Sequence, residues 1–277
     1  HWLSTLTAAG GGVTPRVFEP PLVAGGIGVT ADFAGATTAV VIVARGNYAL
    51  QAVVEGATGT NPENLRSLGG KTLHLDPETV DLVKGAGAKE VRSDRLDVSD
   101  RDAVTAYADA VAEQFGRVNV VINNAGVALA GDFVDLAYDD IDWIISINFW
   151  GVVHGTKAFL PHLIASGEGH LVNLSSLFGL LSIPGQSMYN ASKYAVRGMT
   201  EAIREEMLIA GHNVGVTSVH PGGIKTAIAR NARVSAKENK EATAKLFDKK
   251  LARMTPDRAA EIIVRGIEKN QARVLVG

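Results

Sequence analysis

Cysteine is absent from all 277 residues. Disulfides, thiolate zinc centres and cysteine nucleophiles are thereby excluded. A basic excess is absent too: 27 Lys and Arg face 29 Asp and Glu, for a formal net charge of −2. A nucleic-acid binder would gather surplus basic side chains on one face, so no nucleic-acid partner is expected. Long apolar runs are also missing. Thr37 to Ala44 is the longest, far short of the ~20 residues a membrane helix needs, so no membrane partner is expected. His1-Trp2-Leu3-Ser4 has neither the basic start nor the apolar stretch of a signal peptide. A cytoplasmic protein is therefore the expectation. What remains is an ordinary globular balance, 46% hydrophobic and 20% charged, in a chain long enough for one large domain.

From about residue 89 onward, short β-branched runs alternate with longer helical patterns. Arg101 to Phe115 places Val104, Tyr107, Ala108, Val111 and Phe115 at helical spacing. Val118 to Ile122, His170 to Leu174, Val214 to Val219 and Arg273 to Val276 read as strands. Tyr138 to Ala165 and Ser187 to Ala210 read as long helices. Thr255-Pro256-Asp257 carries a cap and a first-turn proline, so a helix starts there. The alternation predicts an α/β fold: a Rossmann-like, doubly wound parallel sheet with helices on both faces, in a single domain over 1–277. Residues 226–255 break the rhythm with Lys, Ala, Asn and Arg, and are a candidate substrate lid.

Ligands of such sheets bind beyond the carboxyl ends of the strands. That rule selects Asp97-Val98, Asn123 to Gly126, Ser175-Ser176 and Pro221-Gly222. Near them, Tyr189 and Lys193 lie four apart on one helix and share a face. A phenol is a weak acid–base group at neutral pH, with a pKa near 10. A neighbouring cation favours phenolate and lowers that pKa. The pair thus suits proton exchange with a substrate oxygen, which Ser176 could hold, while Asn148 could position a water. A Tyr-x-x-x-Lys pair by itself is a common accident of solvated helices. Other residues favour bland readings. His154 and His162 are read as structural, Trp143 and Trp150 as core or subunit-contact residues. Lys237, Lys240, Lys245, Lys249 and Lys250, interrupted by Glu238, Glu241 and Asp248, read as a solvated face.

The order of motifs changes the weight of the pair. Asn123-Asn124-Ala125-Gly126 is followed by Asn148 with Gly151, then Asn173-Leu174-Ser175-Ser176 with Gly179. Tyr189-Asn190-Ala191-Ser192-Lys193 and Pro221-Gly222 complete the series. Over residues 89–277 this closely resembles the short-chain dehydrogenase/reductase family, in its Tyr-x-x-x-Lys group. The resemblance implies an NAD(P)-dependent oxidoreductase acting on a carbonyl or secondary alcohol. It implies Tyr189 as general acid or base, and Lys193 as the group that lowers its pKa and bonds the nicotinamide ribose. Ser176 would orient the substrate oxygen, preferred over Ser175 because x-x-Gly follows it. Asn148 would hold a relay water. Asp97 and Val98 would touch adenine. Asn124, Ala125 and Gly126 would pack along the cofactor, and Pro221, Gly222, Ile224 and Thr226 would hold its nicotinamide end. It also implies a homodimer or homotetramer built through the two long helices, with Phe149, Trp150, Phe159 and Tyr194 as compatible contacts.

The family opens with a strand running into a Thr-Gly-x-x-x-Gly-x-Gly turn, which this chain lacks. Two placements compete. In one, Leu22 to Gly28 is a shortened turn and Ala39 to Val43 the second strand, so Arg45 would suit the 2′-phosphate of NADP. In the other, Thr37 to Val43 is the first strand, Ala44-Arg45-Gly46-Asn47 the turn and Lys71 to Leu75 the second strand. Asp76 would then bind the adenosine ribose and favour NAD. Chain length fits the second better, with residues 1–36 left as an irregular extension. Leu177, Phe178, Leu180, Leu181, Ile183 and Met188 suggest a fairly apolar alcohol or ketone as substrate. The rival expectation is a non-catalytic binding or scaffold protein on the same fold with weakened cofactor binding.

Overall fold

The computed structural model describes residues 38–45, 48–55, 90–226 and 228–277. Its main sheet has seven strands in the order β3-β2-β1-β4-β6-β7-β9. These are β1 (Thr38–Arg45), β2 (Tyr48–Glu55), β3 (Glu90–Leu96), β4 (Val120–Asn123), β6 (Gly169–Leu174), β7 (Val214–Pro221) and β9 (Arg273–Val276). Short strands β5 (Leu129–Ala130) and β8 (Arg233–Val234) pair apart from it. The helices are α1 (Arg101–Phe115), α2 (Tyr138–Ile145), α3 (Gly151–Ala165), α4 (Ser187–Ile209), α5 (Lys240–Leu246) and α6 (Pro256–Glu268).

Strands β1, β4, β6, β7 and β9 run parallel to one another. Residues alternate between two faces along them, as a pleated strand requires. Val121, Leu171 and Val216 join one core with α1, α3 and α4 residues such as Val111, Phe159, Leu163 and Met207. Val120, Ile122, Val172, Leu174 and Val219 join the other with Ala259, Ile263 and Ile267 of α6. The α/β architecture with helices on both faces is thus the one the alternation predicts. Helix ends follow local chemistry. Asp100 caps α1 by accepting from the Asp102 and Ala103 amides, and Gly116 ends it with φ 71°. A side-chain cap of this kind stabilises by about 1 kcal/mol. Thr255 caps α6, with Pro256 in its first turn.

The amino-terminal side departs from expectation. β1 overlaps the strand anticipated at 37–43, but no helix can follow it before β2. Arg45 pairs with Tyr48, and β2 returns antiparallel to β1. Two intervening residues are too few for a crossover, and Gly-Asn is a hairpin dipeptide. β2 is also antiparallel to β3. The turn placed at Ala44 to Asn47 therefore joins two strands rather than a strand and a helix. The rival turn at Leu22 to Gly28, the strand at Lys71 to Leu75, and Asp76 lie outside the described residues.

Tyr138 to Ala165 is continuous helix, as anticipated, but a π turn at Ser146–Trp150 separates α2 from α3. Phe159, named among possible subunit contacts, is fully buried in the core. Segment 226–255 contains β8, α5 and a second π turn, Phe247–Leu251. It is tied down at three points. β8 pairs with β5. Arg233 bonds Asp140 at 3.0 Å and lies 3.9 Å over the Trp143 ring. Lys237 meets Asp135 at 2.7 Å. Among the described residues no helix is long and apolar enough to cross a membrane.

Candidate active site

The first turns of α4 carry Tyr189 and Lys193, both buried. Helical spacing puts Lys193 Nζ 5.8 Å from the Tyr189 ring centroid. The ammonium donates to the Leu174 carbonyl at 3.0 Å, at the end of β6. Phe178 meets the Tyr189 ring edge-on at 6.2 Å.

Two adjacent serines follow β6 and have different surroundings. Ser175 Oγ donates to the Lys193 carbonyl at 2.8 Å. Gly179 must be glycine here: a Cβ would stand 2.2 Å from Ser175 Oγ and 2.8 Å from the Lys193 carbonyl oxygen. Ser176 instead caps a 3₁₀ turn, Leu177–Gly179, accepting from the Phe178 amide at 3.1 Å. Its hydroxyl also reaches the Pro221 carbonyl at 3.4 Å and hydrogen-bonds the Tyr189 phenol, favouring phenolate. Ser175 therefore locks α4 against β6, while Ser176 faces the phenol.

The electrostatics correct one expectation. The Tyr189 pKa is raised, because burial outweighs the Ser176 hydrogen bond. Lys193 is itself pulled down to about 8 by burial. In this form the cation does not dominate the phenol; removal from water does.

Asn148 sits in the π turn, fully buried. Its amide brackets one residue of the β4 loop, accepting from Val127 N at 2.8 Å and donating to Val127 O at 2.9 Å. Its Nδ2 also reaches Ser192 Oγ at 3.3 Å. Both amide hydrogens are thus committed to protein. A water held here would use the main-chain oxygen or the remaining lone pair of Oδ1. Gly126 lies at the convergence: a Cβ there would be 3.4 Å from both Asn148 Oδ1 and Lys193 Nζ.

The remaining candidates line the same edge of the sheet. Asp97 follows β3, is exposed, and accepts from Ser99 N (2.9 Å) and Oγ (2.7 Å) through Oδ1. Val98 is buried, and its carbonyl accepts from His154 Nδ1 at 3.0 Å, which gives His154 its structural role. Gly151 packs beneath Val98, where a Cβ would meet Val98 Cγ2 at 2.7 Å. Asn124, Ala125 and Gly126 follow β4. Pro221 ends β7, and Gly222 N donates to Val276 O at 2.7 Å. Ile224 bridges to Met254, and Thr226 N donates to Ile224 O at 2.8 Å. Only Asp76 among the site candidates lies outside the described residues. A nicotinamide cofactor fits this edge at two places. The Pro221-Gly222 loop faces Ser176, and Asp97 keeps an open carboxylate oxygen.

Two features went unseen in the sequence. One is a polar network below the site. Asn123 Nδ2 donates to Asn173 Oδ1 (2.8 Å) and Thr156 Oγ1 (3.1 Å), and Asn173 Nδ2 to Thr200 Oγ1 (3.0 Å). The other is His220, whose ring nitrogens meet the Ser176 carbonyl oxygen and Ser218 Oγ. The residue before Pro221-Gly222 was the available signal for it.

Comparison with known proteins agrees with this geometry. Residues 71–237 match the family model described as short chain dehydrogenase. A Mycobacterium tuberculosis protein named as an oxidoreductase, SadH, is 59% identical over 200 residues, covering 72% of each chain. An uncharacterized oxidoreductase of Staphylococcus saprophyticus is 32% identical, covering 70% of this chain and 81% of that one. A short-chain dehydrogenase/reductase from Burkholderia phymatum, solved in complex with NAD, superposes with a TM-score of 0.64. It is 31% identical and the match covers 72% of this chain and 75% of that one. The chain belongs to the short-chain dehydrogenase family and is an oxidoreductase of that family.

Proposed function

We propose that this chain transfers a hydride between the nicotinamide of NAD or NADP and a carbonyl or secondary alcohol, with Tyr189 as general acid and base. The observation that carries the reading is the buried group of Tyr189, Ser176 and Lys193 at the end of β6.

Asp97 and Val98 would hold the adenine, and Asn124, Ala125 and Gly126 the middle of the cofactor. Pro221, Gly222, Ile224, Thr226 and Lys193 would hold the nicotinamide end. The bound cofactor supplies or accepts the hydride; the protein orients. Ser176 holds the substrate oxygen. A phenol kept protonated by burial is ready to donate as that oxygen gains negative charge. Tyr189 Oη gives up its proton in reduction and takes one in oxidation. The phenolate left behind sits beside Lys193, which at neutral pH is mostly charged. Asn148 holds the β4 loop and, with it, Gly126 against both partners.

The NAD-bound Burkholderia relative supports a lean to NAD. Leu177 and Leu181, both large and exposed beside Ser176, support an apolar substrate. Segment 226–255 would serve as its lid, moving about the anchors at Arg233 and Lys237. Exposed Trp150 and Tyr194 on the long helices support a homodimer or homotetramer. A scaffold without catalysis is not favoured, since it has no use for a lysine buried against its charge.

Replacing Tyr189 by Phe tests the mechanism. Turnover should vanish while circular dichroism stays native; full activity in that variant would sink it. Titration of NADH and NADPH, followed by nicotinamide fluorescence, tests the cofactor. Failure of both to bind at millimolar concentration would instead support the scaffold.

A further inference from the structure

His220 is the last buried side chain before the Pro221-Gly222 loop. Its Nδ1 lies 2.9 Å from the Ser176 carbonyl oxygen. A carbonyl only accepts, so Nδ1 carries the proton. Nε2 is then the acceptor, taking the Ser218 hydroxyl proton at 3.0 Å. Both ring nitrogens are used and the tautomer is fixed. Burial lowers the pKa of the ring and keeps it neutral.

The bond joins two strand ends that carry separate tasks. On β6, Ser176 faces the phenol. On β7, the peptide after His220 is the proline whose carbonyl meets Ser176 Oγ at 3.4 Å. The Ser175 amide also donates to Val219 O at 2.8 Å, so the ladder ends one residue before Ser176. Beyond that point the bond from His220 to the Ser176 peptide continues the register. Without it, the serine would hang from a 3₁₀ turn with no tie to β7 except its own hydroxyl.

We propose that His220 is a positioning residue. It fixes the Ser176 peptide so that the serine hydroxyl, held to the loop only by its 3.4 Å contact with the Pro221 carbonyl, can turn to the substrate oxygen at a set distance from the loop that holds the nicotinamide end. This rests on the hydride-transfer reading above.

The test is a double-mutant cycle on the full chain. Rates are read with NADH or NADPH and the fastest member of a panel of aryl and medium-chain alkyl ketones. His220→Leu should lower kcat by about 10- to 100-fold, the loss that follows a small displacement of a reacting group. Cofactor Kd should change by less than about threefold, since the positioned group acts on the substrate oxygen. His220→Asn places an amide N–H where Nδ1 stood and should restore most of kcat; His220→Gln should not. In a Ser176→Ala background, His220→Leu should cost almost nothing more, because the group it positions is already gone. Unchanged kcat in His220→Leu, or losses that multiply in the double variant, would overturn the proposal. Should His220→Leu fail to fold, the Asn and Gln variants decide the matter in the same way. Tyr189→Phe run alongside separates the two failures. An inactive Tyr189→Phe with multiplying losses removes only the role of His220. An active Tyr189→Phe, or a wild type without turnover on any ketone, removes the reading beneath it as well.

Discussion

Ser175 and Ser176 are neighbours with opposite expected phenotypes. Ser175→Ala deletes one buried hydrogen bond, to the Lys193 carbonyl. That carbonyl keeps its helical partner, so the loss should be about 1 kcal/mol of stability. Ser176→Ala deletes the cap on the Phe178 amide, which also costs about 1 kcal/mol. Thermal melts should therefore fail to separate them, each Tm falling by about 2–4 °C. Turnover should separate them sharply. Ser176 is the hydroxyl beside the phenol, and removing one such donor costs about 10²- to 10³-fold in kcat. Ser175→Ala should stay within about threefold of wild type, because its hydroxyl touches only backbone. Steady-state kcat with a fixed cofactor concentration, paired with melts followed by circular dichroism, is the assay. Equal loss of turnover in both variants would refute the division of labour, and so would loss in Ser175→Ala alone.

Lys193 gives a pH signature. Its folded pKa, about 8, lies below the 10.5 of an unperturbed lysine. Between those values the unfolded chain binds more protons, so stability rises with pH there, by about 3 kcal/mol in all. Urea unfolding at pH 7.5 and pH 10 should show most of that gain in wild type and not in Lys193→Met; equal pH responses would contradict it. Gly155→Ala would bring a Cβ to 2.1 Å from Asn123 Oδ1, which overpacking puts at about 1–3 kcal/mol of destabilisation. An unchanged urea midpoint would show that the network beneath the site yields freely.

The catalytic end of the fold was legible in the sequence for a physical reason. Strands buried on both faces read as apolar runs, and each ends where a polar motif begins. Asn123, Ser176 and Pro221 mark three such ends without knowledge of tertiary contacts. The pair on α4 needed only helical periodicity. Other features depend on which side chain meets which across the chain. The water-holding role expected of Asn148 says nothing of its amide, which holds Val127, a partner 21 positions away. Tyr189 was assigned a pKa lowered by its lysine, but burial, which spacing does not report, acts the other way. The apolar run at Thr37 to Val43 overlaps the strand Thr38–Arg45. Its antiparallel return through Tyr48 is signalled by the dipeptide Gly46-Asn47, which the family's strand-to-helix turn pattern overrides as an expectation.

The π turn at Ser146–Trp150 has a consequence for how the long helix addresses its neighbours. A π turn takes up one residue that an α-helix would spend on about 100° of rotation, and so resets the phase of everything after it. α2 faces α4, while α3 faces α1 and strands β4 and β6. An uninterrupted α-helix of the same sequence would present a single stripe and could satisfy only one of those partners. Winding the same residues as unbroken α-helix here would rotate Gly155 and Thr156 off Asn123, and Gly151 off Val98, in a single stroke. Its length is thus a timing element: it sets two faces of one rod to two different layers of the molecule.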